Sequence, residues 1–108
     1  MSKPIIFISG PMRGYPDWNR AAFNEAAEQA RNFGFEPLNP AILPITLPDK
    51  AYIPICLAML NICDYLYALP GSDKSTGAAA EQAFARAQGI PILASKKELE
   101  HIGLWWDE

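Results

Sequence analysis

The sequence has one histidine, His101, and two cysteines, Cys56 and Cys63, among its 108 residues. There is no CxxC pair, so no zinc site and no disulfide framework are expected, and no metal or organic cofactor is implied. A reducing cytoplasm is the simplest compartment for so few cysteines. The chain also lacks any basic block: nine basic and twelve acidic residues leave a net charge of −3. A nucleic-acid polymer is therefore not an expected partner, because backbone binding needs clustered positive charge. Small anions stay open, since one or two cations and a few backbone N–H groups can hold them. No apolar run approaches the roughly 18 residues of a membrane span, and residues 5–8 are too brief for a signal-peptide core. Repeats and low-complexity tracts are absent.

What is present is a folding chain. Half the residues are hydrophobic and 11% are aromatic, enough for a core, and the length fits one domain over residues 1–108. Residues 4–9 form a short β-branched and aromatic run closed by Gly10-Pro11, which predicts a buried strand. From about residue 18 to 33, Ala22, Phe23, Ala26, Ala27, Ala30 and Phe33 recur at helical spacing. Asp17 or Asn19 suits the cap of that helix, and Gly34 suits the position just past its end. Residues 35–38 predict a second strand, near an edge because of Pro37. Residues 39–54 carry four prolines and predict a long stiff loop, the kind that often serves as a lid. A helix over 55–61 follows, with Pro54 in its first turn. A central strand is predicted over 63–69, an alanine-rich helix over 77–88 ended by Gly89, and a fourth strand over 90–94. A short helix over 96–101 and a Leu104-Trp105-Trp106 tail close the chain. Alternating strands and helices predict an α/β fold: a small doubly wound, mostly parallel sheet of four to five strands with helices on both faces. Ligands of such sheets sit beyond the carboxyl ends of the strands, at a switch point. With strands one and three adjacent, the loops 10–17 and 70–76 meet there.

Two local features carry chemistry. Gly10 and Gly14 flank Arg13, and glycines let a backbone approach a ligand while arginine pairs with phosphate. An ordinary strand-to-helix turn is the plainer alternative. In the second loop Lys74, Ser75 and Thr76 precede the alanine-rich helix, a ready anion seat that plain N-capping also explains. Glu81 comes six residues after Ser75, too late for a capping box. A helical wheel centres the apolar face on Ala79, Ala80, Ala83, Phe84 and Ala87, so spacing favours a solvated flank for Glu81. Tyr15 and Trp18 suit either stacking on a base or a staple onto the core.

An ordered set of short motifs spans nearly the whole chain. It comprises Phe7-Ile8-Ser9-Gly10-Pro11-Met12-Arg13-Gly14, Asn39-Pro40, Leu57-Ala58-Met59-Leu60, Cys63-Asp64, Leu69-Pro70-Gly71, Ser75-x-Gly77-x-x-x-Glu81 and Gly89-Ile90-Pro91-Ile92. Together these resemble the nucleoside 2-deoxyribosyltransferase-like superfamily, close to its short phage and bacterial members of unassigned function. The resemblance implies cleavage or transfer of the N-glycosidic bond of a 2′-deoxynucleoside 5′-monophosphate. It implies Glu81 as the nucleophile, with Phe7, Gly10, Met12, Arg13, Gly14, Cys56, Ser75 and Gly77 around the substrate. Ser75 stands where the transferases carry an aspartate near the sugar 5′-hydroxyl. A serine at a helix start donates to a phosphate that an aspartate would repel.

Three positions depart from the family pattern. Cys56 stands where an acid usually precedes Leu-x-x-Leu, Phe7 replaces a common tyrosine, and Ser72 follows Leu69-Pro70-Gly71 in place of tryptophan. The first two remove polar groups from the expected pocket, and Asp17 and Asp73 are the acids nearest the right edge. A non-catalytic nucleotide-binding protein on the same scaffold is therefore the alternative. The expected partners are a nucleotide or nucleoside and further copies of the chain, in a homodimer or larger homo-oligomer, with Trp105 and Trp106 at the interface.

Overall fold

Strand β1 (Ile5–Ser9) sends alternate side chains to opposite faces of a sheet, and the layers follow from that alternation. The structure is a computed structural model describing residues 3–105. In it β1 pairs in parallel with β2 (Glu36–Leu38) on one side and β3 (Tyr65–Ala68) on the other. Strand β4 (Ile92–Leu93) extends the sheet beside β3, also in parallel. The order β2-β1-β3-β4 puts the first two crossovers on opposite sides of β1, so the switch point lies between β1 and β3. The predicted doubly wound architecture is present, with β2 at an edge.

Four helices cover the sheet: α1 (Arg20–Asn32), α2 (Asp49–Asn61), α3 (Thr76–Gln88) and α4 (Lys96–Trp105). Ile6 and Ile8 face one core, with Phe23, Ala26 and Ala30 of α1, Phe35, and Leu99 of α4. Phe7 faces the other, with Cys56 and Leu60 of α2, Leu66, and Ala85 of α3. Each large apolar side chain so buried contributes about 1.5–3 kcal/mol. Gly34 and Gly89 end α1 and α3 at φ of +93° and +75°, as glycines past a helix do.

Four expectations need correction. Neither Asp17 nor Asn19 caps α1; with Trp18 they form a left-handed run at φ of 49°, 57° and 60°. Asn19 instead donates its side-chain amide to the Pro11 carbonyl at 2.8 Å, tying the helix start to the loop after β1. Helix α2 begins six residues earlier than the sequence suggests, because Pro48 forms its N-cap and Pro54 lies inside it. Pro54 removes one helical hydrogen bond there. Helix α3 is turned so that Ala79, Ala80, Ala83 and Ala87 are exposed, while Ala78 and Ala85 are buried and Glu81, Gln82 and Phe84 half-buried. Alanine favours helix on any face, so its position is a poor guide to which face is buried. Helix α4 runs four residues past the predicted end. The tail expected to carry an interface, Leu104 to Trp106, has side chains outside the described residues.

Candidate active site

The carboxyl ends of β1 and β3 open into a cavity of about 540 Å³, within the usual range for small-molecule sites. Its floor and walls come from the loop after β1, Phe23 of α1, the strap 39–48, the start of α2, the loop after β3, and the start of α3. Each is positioned by local sequence. Gly10 packs so tightly that a Cβ would stand 2.9 Å from the Leu69 side chain, so only glycine lets the first loop leave the sheet here. Ser75 caps α3 by accepting the Ala78 N–H at 3.2 Å. That leaves the N–H groups of Thr76 and Gly77 without an intrahelical partner, both at the cavity wall. A Cβ on Gly77 would meet nothing within 4 Å, so the wall is open on that side of the residue.

Glu81 lies about one turn past Gly77 on α3 and lines the cavity. Its carboxylate accepts a hydrogen bond from Ser9 Oγ at 2.7 Å. Ser9 is fully buried at the last position of β1. Burial pushes the Glu81 carboxyl up to about 7, and the hydrogen bonds from Ser9 and from the Cys56 thiol pull it partly back down. The solvated flank favoured by helical spacing is thus overturned. Cys56 is itself pushed up to about 12, by burial first and by the Glu81 charge second, so its sulfur keeps its proton. Beside it the Tyr52 hydroxyl lies 2.9 Å from Met12 Sδ and 3.3 Å from the Pro40 carbonyl, and burial raises it well above the usual phenol range.

Of the residues that the resemblance gathers, Gly10, Met12, Arg13, Ser75, Gly77 and Glu81 all line the cavity. Gly14 does not; at φ of +85° it serves the turn. Phe7 and Cys56 lie beneath the wall in the core, with Cys56 touching Glu81 from below. Asp17 and Asp73 do not line the cavity, and Asp64 sits at the far end of the sheet, accepting the Ile5 N–H at 2.8 Å. Tyr15, Trp18 and Lys74 do line it. So do Tyr52 and Asp49, which sequence reasoning missed. The available signal was the i, i+4 spacing of Tyr52 and Cys56, obscured because the prolines put residue 52 in a loop. Among the described residues no group of three His, Cys, Asp or Glu side chains could hold a metal ion, and no helix is long and apolar enough to cross a membrane. The arrangement is a half-buried carboxylate, pushed up to about 7, and an anion-ready helix start on the wall of one cavity.

A family described as Domain of unknown function (DUF4406) matches residues 4–94. No curated protein sequence matches the chain. Among solved structures, the chain is similar to a 2-desoxiribosyltransferase from Leishmania mexicana, at 24% identity and a TM-score of 0.68 over 84% of this chain. It spans 63% of that enzyme's length. It is also similar to a 2-deoxyribosyltransferase from the psychrotolerant bacterium Bacillus psychrosaccharolyticus, at 15% identity and a TM-score of 0.64, covering 82% of this chain and 69% of that one. These likenesses establish a nucleoside 2-deoxyribosyltransferase-like fold.

Proposed function

The chain belongs to the DUF4406 family, whose function is unassigned, and from its cavity we propose that it cleaves or transfers the N-glycosidic bond of a 2′-deoxynucleoside 5′-monophosphate. The observation that carries this is Glu81: a carboxylate held by buried Ser9 at the edge of the cavity, shifted to about 7. A structural role alone does not call for a costly half-buried acid beside an open cavity. In the proposed reaction a Glu81 oxygen attacks C1′ of the sugar. A C1′–O ester bond forms, the C1′–N bond breaks, and its electron pair leaves with the base, which takes a proton from solvent. Water then attacks C1′ to give hydrolysis, or a second base attacks to give transfer, and Glu81 is released. That both fold neighbours are described as deoxyribosyltransferases supports the reaction class.

The phosphate preference rests on charge. Ser75, Thr76, Gly77, Lys74 and Arg13 all line the cavity, and the Thr76 and Gly77 N–H groups are free to donate. Ser75 and Glu81 are about 9 Å apart along the helix axis, at 1.5 Å per residue. That is the scale of a deoxyribose 5′-phosphate with contacts at both ends. Gly10 and Met12 border the sugar site between them. We expect the working form to be a homo-oligomer.

The test is release of free base from a panel of deoxynucleoside 5′-monophosphates and the matching nucleosides, followed by chromatography with Glu81→Ala alongside. Release that vanishes in the variant supports the mechanism; full activity in the variant rejects it. A second reading, nucleotide binding without catalysis, is favoured by Cys56: a protonated thiol stands where the family pattern has an acid. It predicts nucleotide binding by calorimetry with no base release from any substrate.

A further inference from the structure

Arg13 already has an anion. Its Nη2 contacts both oxygens of Asp49, at 2.5 and 2.6 Å, across 36 residues of sequence. Asp49 is the first residue of α2 and, like Arg13, lines the cavity. The side chains are 74% and 61% exposed. Two features of this pair matter. A fork in which two guanidinium nitrogens meet two carboxylate oxygens fixes the arginine plane. Here one nitrogen takes both oxygens, so the guanidinium is neutralised but its plane is not held. An exposed pair of this kind is also worth little, so it is readily exchanged.

We propose that Asp49 is a resident counter-anion that the 5′-phosphate of a bound nucleotide displaces from Arg13, making Asp49 a determinant of phosphate affinity at this site. The proposal rests on the phosphate reading above. A phosphate entering near Ser75 brings up to two negative charges toward Arg13, and the Asp49 carboxylate both competes for the guanidinium and repels the newcomer. A nucleoside without phosphate leaves the pair in place. Asp49 therefore lowers the affinity of phosphorylated ligands and leaves that of unphosphorylated ones alone. Because Arg13 sits on the loop after β1 and Asp49 starts α2, the exchange also unties two segments of the cavity rim.

Calorimetric titration of the full chain with the four 2′-deoxynucleoside 5′-monophosphates and their nucleosides, at fixed ionic strength, tests this. Asp49→Asn should tighten monophosphate binding roughly two- to fivefold, the scale of an exposed ion pair, and leave nucleoside binding unchanged. Asp49→Glu keeps the charge and should restore the wild-type ratio of the two affinities, which separates charge from any change in the α2 start. Weaker monophosphate binding in Asp49→Asn would overturn the proposal, since Asp49 would then be orienting Arg13. An equal shift for nucleosides would overturn it too. If the wild-type chain does not prefer the monophosphate to the nucleoside, the phosphate reading itself fails and this proposal falls with it.

Discussion

Ile8 and Ser9 are consecutive residues of β1, and they face opposite sides of the sheet. On Ile8's side the core is mostly apolar or aromatic: Phe23, Phe35, Leu99 and the alanines of α1, with Phe35 and Tyr65 meeting edge to face. On Ser9's side the layer between the sheet and helices α2 and α3 holds two free cysteines, Tyr52, Gln82 and Glu81. Among the described residues a side-chain nitrogen is buried without a hydrogen-bond partner on each side, Gln82 Nε2 here and Arg20 Nε on α1, so the contrast rests on Glu81, Tyr52 and the cysteines. Polar and ionisable groups in such a layer are costly unless satisfied. The first face is built for stability, whereas the second gives up some stability around a cavity.

The largest expected difference between the faces is chemical. Glu81→Gln keeps the shape of the side chain but removes the proposed nucleophile, and should lower base release by on the order of a thousandfold or more. Leu99→Ala, on the opposite face, should cost about 2–5 kcal/mol of stability in denaturant unfolding and leave the pH dependence of base release in place. A pH profile altered by Leu99→Ala would mean that the two faces are not separable.

Glu81 should cost stability in a pH-dependent way. Its ordinary value is 4.5 and its folded value about 7. Below pH 4.5 both folded and unfolded chains hold the proton and nothing is lost. As pH rises from there to about 7, the unfolded chain releases its proton first, so stability falls, by about 3 kcal/mol in all. Glu81→Gln should therefore unfold at higher urea than wild type at pH 8 and near the same urea at pH 4. Equal midpoints at pH 8 would contradict the burial of the carboxylate.

A smaller effect sharpens the contrast within Ser9's own side. Base release should rise with pH through about 7, as the Glu81 carboxylate forms. Ser9→Ala removes a hydrogen bond that favours the charged form, so the acidic limb should move to higher pH. Activity at pH 6 should fall about tenfold and activity at pH 8 much less. A uniform loss at both pH values would assign Ser9 a merely structural part.

The apolar face was largely legible in the sequence. The 3.6-residue recurrence of Phe23, Ala26, Ala27 and Ala30, the run 5–8, and the glycines after α1 and α3 act locally. The site was half legible. Ser75 and Arg13 announce themselves by type and neighbours, and the motif set singled out Glu81. What stayed hidden depends on contacts distant in sequence: Ser9 with Glu81 across 72 residues, Arg13 with Asp49 across 36, Tyr52 with Met12 across 40. Alanine hid the orientation of α3 because it is neutral between faces. Trp18 reached the cavity wall through a left-handed run of three, a conformation that Asp or Asn adopts singly but a bulky Trp rarely does.

The most direct measurement is intact-protein mass spectrometry after rapid acid quench of the chain with a deoxynucleoside 5′-monophosphate that releases base. Glu81 as nucleophile requires an added deoxyribose 5-phosphate on the wild-type protein, mapped to the peptide containing Glu81 and missing from Glu81→Gln. Base release that continues in Glu81→Gln, with no adduct on either protein, would contradict it.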